Sequence, residues 1–236
     1  SFETCTIGGN LGTNAGGLCC VKYGQTRESV LGLEVVLADG SALVRETFCL
    51  PAALHPEPPV TLLLELAGPL GVGERLAGFL ATVDGLQGSA MAEDAAGRAA
   101  LWQVREEHNP AINRVGPPHK YDVTLPPATL DTVVAAVRAR VVALAPGACL
   151  WVFGHIGDGN LHLNVTGLDP TDHRVDEAVL TLVAEAGGSI SAEHGIGVAK
   201  RRWLPLAHSP EEIEAFRGIK AALDPDGLLN PGVLFG

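Results

Sequence analysis

The sequence predicts an α+β fold in which a mostly antiparallel sheet carries flanking helices. The second half of the chain runs strand, helix, strand, strand, helix, an order that suits an antiparallel sheet with helices on one side. Two of those strands, Cys149–His155 and residues 160–165, are separated by a tight Gly-Asp-Gly turn at residues 157–159. Residues 127–145 place Leu130, Val133, Val134, Val137, Val141 and Val142 on or near one helical face.

In chain order, residues 8–17 form a loop with five glycines and the small polar residues Asn10, Thr13 and Asn14. The apolar run 30–37 follows, then Asp39-Gly40, then Ala42-Leu43-Val44, which reads as a β-hairpin. Four prolines between Pro51 and Pro59 mark a candidate boundary. Beyond it Val60–Leu66 is a continuous apolar strand, residues 73–86 and 90–104 have helical spacing, and 120–125 alternates as a strand. Residues 172–186 form a further helix. Ser209-Pro210-Glu211-Glu212 supplies an N-cap, a proline at the first helical position and a capping-box glutamate for a helix ending near Leu223.

Composition narrows the class of function. The 236 residues are 47% apolar and 18% charged, with a net charge of −11 that would repel nucleic acid. Five cysteines without a CxxC pattern are poor material for disulfides and suit a reducing compartment. No uninterrupted run of about 18 apolar residues suggests a membrane span, and the N-terminus lacks the pattern of a secretory leader. Ser1 opens inside a patterned segment, so the expectation is a chain that continues upstream.

The chemistry concentrates in Gly154-His155-Ile156-Gly157-Asp158-Gly159-Asn160-Leu161-His162. If Asp158 and Gly159 are the two central turn residues, His155 faces His162 with Cβ atoms about 5 Å apart. Two imidazoles so placed can share one metal ion at about 2.1 Å, and Asn164 lies on the same face. Glu193-His194, followed by Gly195 and Gly197, offers a carboxylate ligand beside a proton-handling group. Two histidines and a carboxylate leave open positions for a bidentate substrate. The plainer alternative for Glu193-His194 is a turn with exposed polar side chains.

These segments, together with Leu33-Glu34-Val35-Val36-Leu37-Ala38-Asp39-Gly40, Ser191-Ala192-Glu193-His194-Gly195 and residues 221–232, resemble the FAD-linked oxidases of the vanillyl-alcohol-oxidase fold. Within that group the resemblance is to dehydrogenases of D-2-hydroxy acids, of the D-2-hydroxyglutarate and D-lactate kind. It implies that residues 1–50 are part of an FAD-binding domain, that 51–205 form a substrate and metal-binding cap domain, and that 206–236 are a C-terminal helix and tail returning to the flavin domain. It implies FAD and a divalent ion, zinc foremost, held by His155, His162 and Glu193. His194 would take the hydroxyl proton while hydride passes from C2 to the flavin. Arg105, Lys120, Asn164 and Asn109 would bind substrate, and Gly9, Asn10, Thr13, Asn14, Gly17 and Asn230 would contact the cofactor. The implied partners are a small anionic 2-hydroxy acid, an electron acceptor such as an electron-transfer flavoprotein, and a second copy in a homodimer. The implied location is bacterial cytoplasm or mitochondrial matrix.

Chemically, an α-hydroxy acid chelating a cation has a more acidic hydroxyl, so a histidine can deprotonate it near neutrality. Arginine suits bidentate carboxylate recognition and lysine supplies a point charge. The sequence departs from the family pattern in three respects. The flavin-domain half that the resemblance implies would precede Ser1, outside this sequence, and the segment expected between Thr47 and Pro51 is absent. Asn109 stands where such dehydrogenases tend to carry threonine. The chain is therefore expected to bind FAD weakly or not at all, and saturable uptake of flavin absorbance would overturn that. Two further readings stay open: a catalytically idle metal-binding or interaction module, and a metal-dependent hydrolase.

Overall fold

The computed structural model describes residues 30–54, 58–66 and 71–235. The α+β expectation holds: helices accompany strands whose pairings are antiparallel. The described residues divide into two compact units. One takes in the residues up to Pro118 together with Trp151–Asp158, and the other takes in His119–Leu150 and the residues from Gly159 onward. No described helix is long and apolar enough to cross a membrane.

In the first unit β1 (Val30–Leu37) pairs with β2 (Val60–Leu66) from Val30↔Leu66 to Leu37↔Val60. Its other edge pairs with β4 (Cys149–His155) through Glu34↔His155, Val35↔Gly154 and Val36↔Phe153. The hairpin expected at Asp39-Gly40 does not form; β1 passes directly into α1 (Ala38–Phe48). Val44 is fully buried, Ser41 nearly so, and Leu43 packs on Ile112 and Phe153. Burying one aliphatic side chain is worth about 1.5–3 kcal/mol, more than the roughly 1 kcal/mol that a glycine costs a helix. The apolar face therefore outweighs the local turn signal.

The helices α2 (Val72–Leu80) and α3 (Ala95–Glu106) are shorter than the 73–86 and 90–104 spacing suggested. Asp94 sets the start of α3 by accepting a bond from the Gly97 N–H at 2.8 Å, an N-cap that satisfies one of the free donors of the first turn. A helix not expected from the sequence, α4 (His108–Val115), tolerates Pro110 because the first turn needs no donor there.

In the second unit β3 (His119–Thr124) pairs with β5 (Asn160–Thr166) from His119↔Val165 to Thr124↔Asn160. Strand alternation then separates two faces. Tyr121, Val123, Leu161, Leu163 and Val165 are buried on one, where the Tyr121 hydroxyl donates to Asp176 of α6 (Arg174–Glu185) at 2.6 Å. Lys120, Asp122, Asn160, His162 and Asn164 share the opposite face. A 3₁₀ turn at Pro127–Thr129 leads into α5 (Leu130–Leu144), which packs on α6. Val133, Val137 and Val141 are buried as expected, whereas Val142 is exposed. The short helices α7 (Gly197–Lys200) and α8 (Leu204–Ala207) precede α9 (Pro210–Leu223), whose capping box between Ser209 and Glu212 is formed as the sequence predicts.

The connection between β4 and β5 is also corrected. It spans residues 156–159 rather than two residues. A two-residue hairpin of the favoured type needs positive φ at both central residues, and of Asp158 and Gly159 only the glycine takes it, at +74°. A Cβ on Gly159 would also lie 2.0 Å from the Leu125 carbonyl oxygen, and the Leu125 N–H donates to the Gly159 carbonyl at 3.0 Å. Gly159→Ala is therefore expected to destabilise the chain by at least about 2 kcal/mol, measured as a lowered urea midpoint.

Candidate functional site

Within the second unit the site grows from the polar face of β3 and β5. The register sets Asp122 opposite His162 and Lys120 opposite Asn164. Asp122 is 8% exposed at its side chain, and Asn164 is buried with no hydrogen-bond partner for its side-chain nitrogen among the described residues. His162 is partly exposed, and Lys120 is exposed.

The distant Glu193-His194 pair reaches this face because residues 189–192 run along β3. Thr124 and Ser189 exchange two backbone bonds at 3.1 and 2.8 Å, and the Ala192 N–H donates to the Asp122 carbonyl at 3.1 Å. Gly188 makes this approach feasible, since a Cβ there would lie 2.4 Å from the Thr124 carbonyl oxygen. Lys200 secures the same join from α7, donating to the backbone carbonyls of Asp122 at 3.1 Å and Ile190 at 2.7 Å. Burial pulls the Lys200 ammonium below its ordinary pKa, partly offset by the nearby Asp122 charge.

Asp122 is the meeting point. Its Oδ2 accepts from the Glu193 backbone N–H at 2.9 Å and lies 3.5 Å from His194 Nδ1, while its Oδ1 lies 3.4 Å from His162 Nδ1. The two imidazole distances are longer than a strong N–H···O bond, as is common for acid/base groups without a bound ligand. Asp122 belongs to no motif that marks it in the sequence. The available signal was its even-numbered place beside Lys120 on an alternating strand.

Among the described residues, no set of three His, Cys, Asp or Glu side chains is arranged to hold a metal ion. The donor chemistry in the second unit nevertheless fits a divalent cation. An imidazole whose Nδ1 faces a carboxylate leaves Nε2 as an electron-pair donor, the usual way of orienting a ligating histidine, and Glu193 adds a carboxylate. His155, the last residue of β4, belongs to the first unit, whereas His162 and Glu193 belong to the second.

Of the other expected residues, Arg105 and Asn109 belong to the first unit and Asn230 to the second. Arg105, in the last turn of α3, stacks its guanidinium 4.7 Å from the Phe153 ring centre, and His108 Nδ1 lies 3.0 Å from the Arg105 carbonyl oxygen. Arg105 also lines a cavity of about 840 Å³ in the first unit, alongside Arg98, Glu65 and Trp102. The Trp102 indole donates to Glu65 at 3.0 Å. Asn109 is exposed in the first turn of α4. Asn230 is exposed near the C-terminus with a φ of +47°. Gly9, Asn10, Thr13, Asn14 and Gly17 lie outside the described residues.

Comparison with known proteins accords with the resemblance seen in the sequence. The family described as FAD linked oxidases, C-terminal domain, matches residues 15–234. Mitochondrial D-2-hydroxyglutarate dehydrogenase from Bos taurus is 33% identical, with 97% of this chain and 58% of that protein covered. D-2-hydroxyglutarate dehydrogenase from Xanthomonas citri pv. viticola is 32% identical, with 98% and 69% covered. The chain thus spans little more than half the length of the bovine relative. The alignment with that relative covers 324 positions against 236 residues here, so it carries segments within the matched range that this chain lacks. Among solved structures, 4-ethylphenol oxidase from Gulosibacter chungangensis, in its isoeugenol complex, superposes with a TM-score of 0.58 at 16% identity, covering 95% of this chain and 50% of that one. That likeness concerns the fold. With nearly its whole length matched, the chain belongs to the family of FAD-linked oxidase C-terminal domains.

Proposed function

We propose that these residues form the substrate-handling part of an FAD-dependent dehydrogenase that oxidises a D-2-hydroxy acid, of the D-2-hydroxyglutarate or D-lactate type, to the 2-oxo acid. The observation that carries this reading is the convergence of His162, His194 and the Glu193 backbone on the Asp122 carboxylate. When bound, FAD supplies the hydride acceptor and a divalent ion, zinc foremost, supplies Lewis acidity.

The chain's own part is proton handling and binding. His194 Nδ1 faces Asp122, so Nε2 is the atom left to receive the substrate hydroxyl proton. His162 and Glu193 are the ligands offered by the second unit, and the resemblance adds His155. Lys120 and Asn164, opposite one another on the same face, supply a cation and an amide for the substrate carboxylate. The roles of Arg105 and Asn109 in substrate binding, and of Gly9, Asn10, Thr13, Asn14, Gly17 and Asn230 at the flavin, rest on the family resemblance. The accompanying proposals are an electron-transfer flavoprotein as acceptor, a homodimer, and bacterial cytoplasm or mitochondrial matrix as the location.

The segments that the bovine relative carries and this chain lacks favour a second reading, an idle metal-binding or interaction module. Dye reduction with D-2-hydroxyglutarate and D-lactate, at saturating FAD and with or without chelator, separates the two. The expected result, given the weak flavin binding expected of this chain, is turnover only at high FAD concentration that disappears on chelation. Turnover indifferent to chelator removes the ion from the proposal, and no turnover with either acid removes the dehydrogenase.

A further inference from the structure

We propose that Asp122 is the positioning residue of the site, a single carboxylate that holds His162 and His194 in the tautomer carrying the proton on Nδ1 and so presents both Nε2 atoms to what binds there. The inference deepens the dehydrogenase reading and rests on it for its consequence, but the geometry stands without a cofactor. Asp122 is fixed from all sides: strand alternation puts it on the polar face opposite His162, the Glu193 N–H binds one oxygen at 2.9 Å, and Lys200 holds its backbone carbonyl. Its other oxygen, Oδ1, is buried and makes no hydrogen bond among the described residues, although His162 Nδ1 is 3.4 Å away.

A buried carboxylate oxygen left without a donor is costly, and the His162 Nδ1–H beside Oδ1 is the donor that relieves it, while His194 Nδ1 approaches Oδ2. A carboxylate only accepts hydrogen bonds, so each ring that turns Nδ1 toward it must carry the proton there. The hydrogen bond made by one ring nitrogen decides which tautomer is present. One aspartate would thus set a proposed ligand and a proposed base together, although 31 sequence positions separate His162 from His194.

A purely structural Asp122 would pin only the Glu193 backbone. Asp122→Asn separates the roles, because the amide oxygen in the place of Oδ2 still accepts from the Glu193 N–H and still faces His194, while the amide NH₂ in the place of Oδ1 donates toward His162 and favours protonation on its Nε2. Long-range ¹H–¹⁵N spectra of the 236-residue chain without metal or flavin, at about pH 8.5, about two units above the ordinary imidazole value, read the tautomers directly. The expected result is Nδ1–H on His162 and His194 in the native chain, with His162 changing to mainly Nε2–H in Asp122→Asn and His194, which faces the retained oxygen, staying Nδ1–H. His119 and His173, whose Nδ1 atoms face Asp176 at 2.8 and 2.6 Å, should remain Nδ1–H and report that the fold is intact.

An unchanged tautomer at His162 in a folded Asp122→Asn overturns the inference, as does Nε2–H on His194 in the native chain. If that variant does not fold, the native chain decides alone, and Nε2–H on either ring overturns it. Since no turnover is measured, failure of the dehydrogenase reading and failure of this one are told apart.

Discussion

Replacing His194 with glutamine is expected to lower D-2-hydroxy-acid turnover by about 10²–10⁴-fold, the usual contribution of a positioned acid/base group, with little change in KM. His194 is 71% exposed at its side chain and touches the rest of the second unit through the Asp122 carboxylate. Stability should therefore stay within about 0.5 kcal/mol of the native chain, as for most surface substitutions. Glutamine keeps a hydrogen-bonding amide but cannot accept a proton at neutral pH. Dye-reduction kinetics give kcat and KM, and a thermal midpoint gives stability. A kcat equal to that of the native chain would remove His194 as the base.

Asp176→Ala should produce the largest loss of stability, about 3–4 kcal/mol, because it strips the acceptor from three donors at once. The carboxylate takes the Tyr121 hydroxyl at 2.6 Å and His119 Nδ1 at 2.8 Å on one oxygen, and His173 Nδ1 at 2.6 Å on the other. Tyr121 is 4% exposed, so its hydroxyl would be left buried without a partner. Burial pulls the Asp176 carboxyl upward, yet the bonds from Tyr121, His119 and His173 outweigh it and hold the pKa below the ordinary aspartate value. Burial and the same carboxylate push the Tyr121 hydroxyl upward.

The pH dependence has a definite sign. A carboxyl with a lowered folded pKa contributes stability that is full above the unfolded value of about 3.9 and lost as pH falls through the folded value. Urea unfolding of the native chain and of Asp176→Asn should therefore differ most near neutrality, and the gap should narrow below about pH 4. A gap that widens in acid would contradict this account.

The elements built on local signals were legible in the sequence. The Ser209/Glu212 capping box, the valine face of α5 and the alternating strand expected at 120–125 and found at His119–Thr124 each depend on residues within a few positions of one another. Local signals misled where a tertiary surface competed with them. Asp39-Gly40 yielded to the burial of Val44 and Leu43, and the 156–159 connection took four residues because only Gly159 adopts a positive φ. Arg105 was legible as a residue type but not in its stacking on Phe153, which joins residues 48 positions apart.

The family, the kinds of chemical group available and the faces that strand and helix periods assign to them can be read from the order of the residues alone. It takes the packed chain to show that residues 189–193 run along β3, that Lys200 secures them, and that Asp122 is the group on which His162, His194 and the Glu193 backbone converge. The reason is physical. A period of two or of 3.6 residues fixes direction along one element, whereas the pairing of an edge strand with a segment some 70 positions away depends on which backbone groups remain without partners once the rest of the chain has packed.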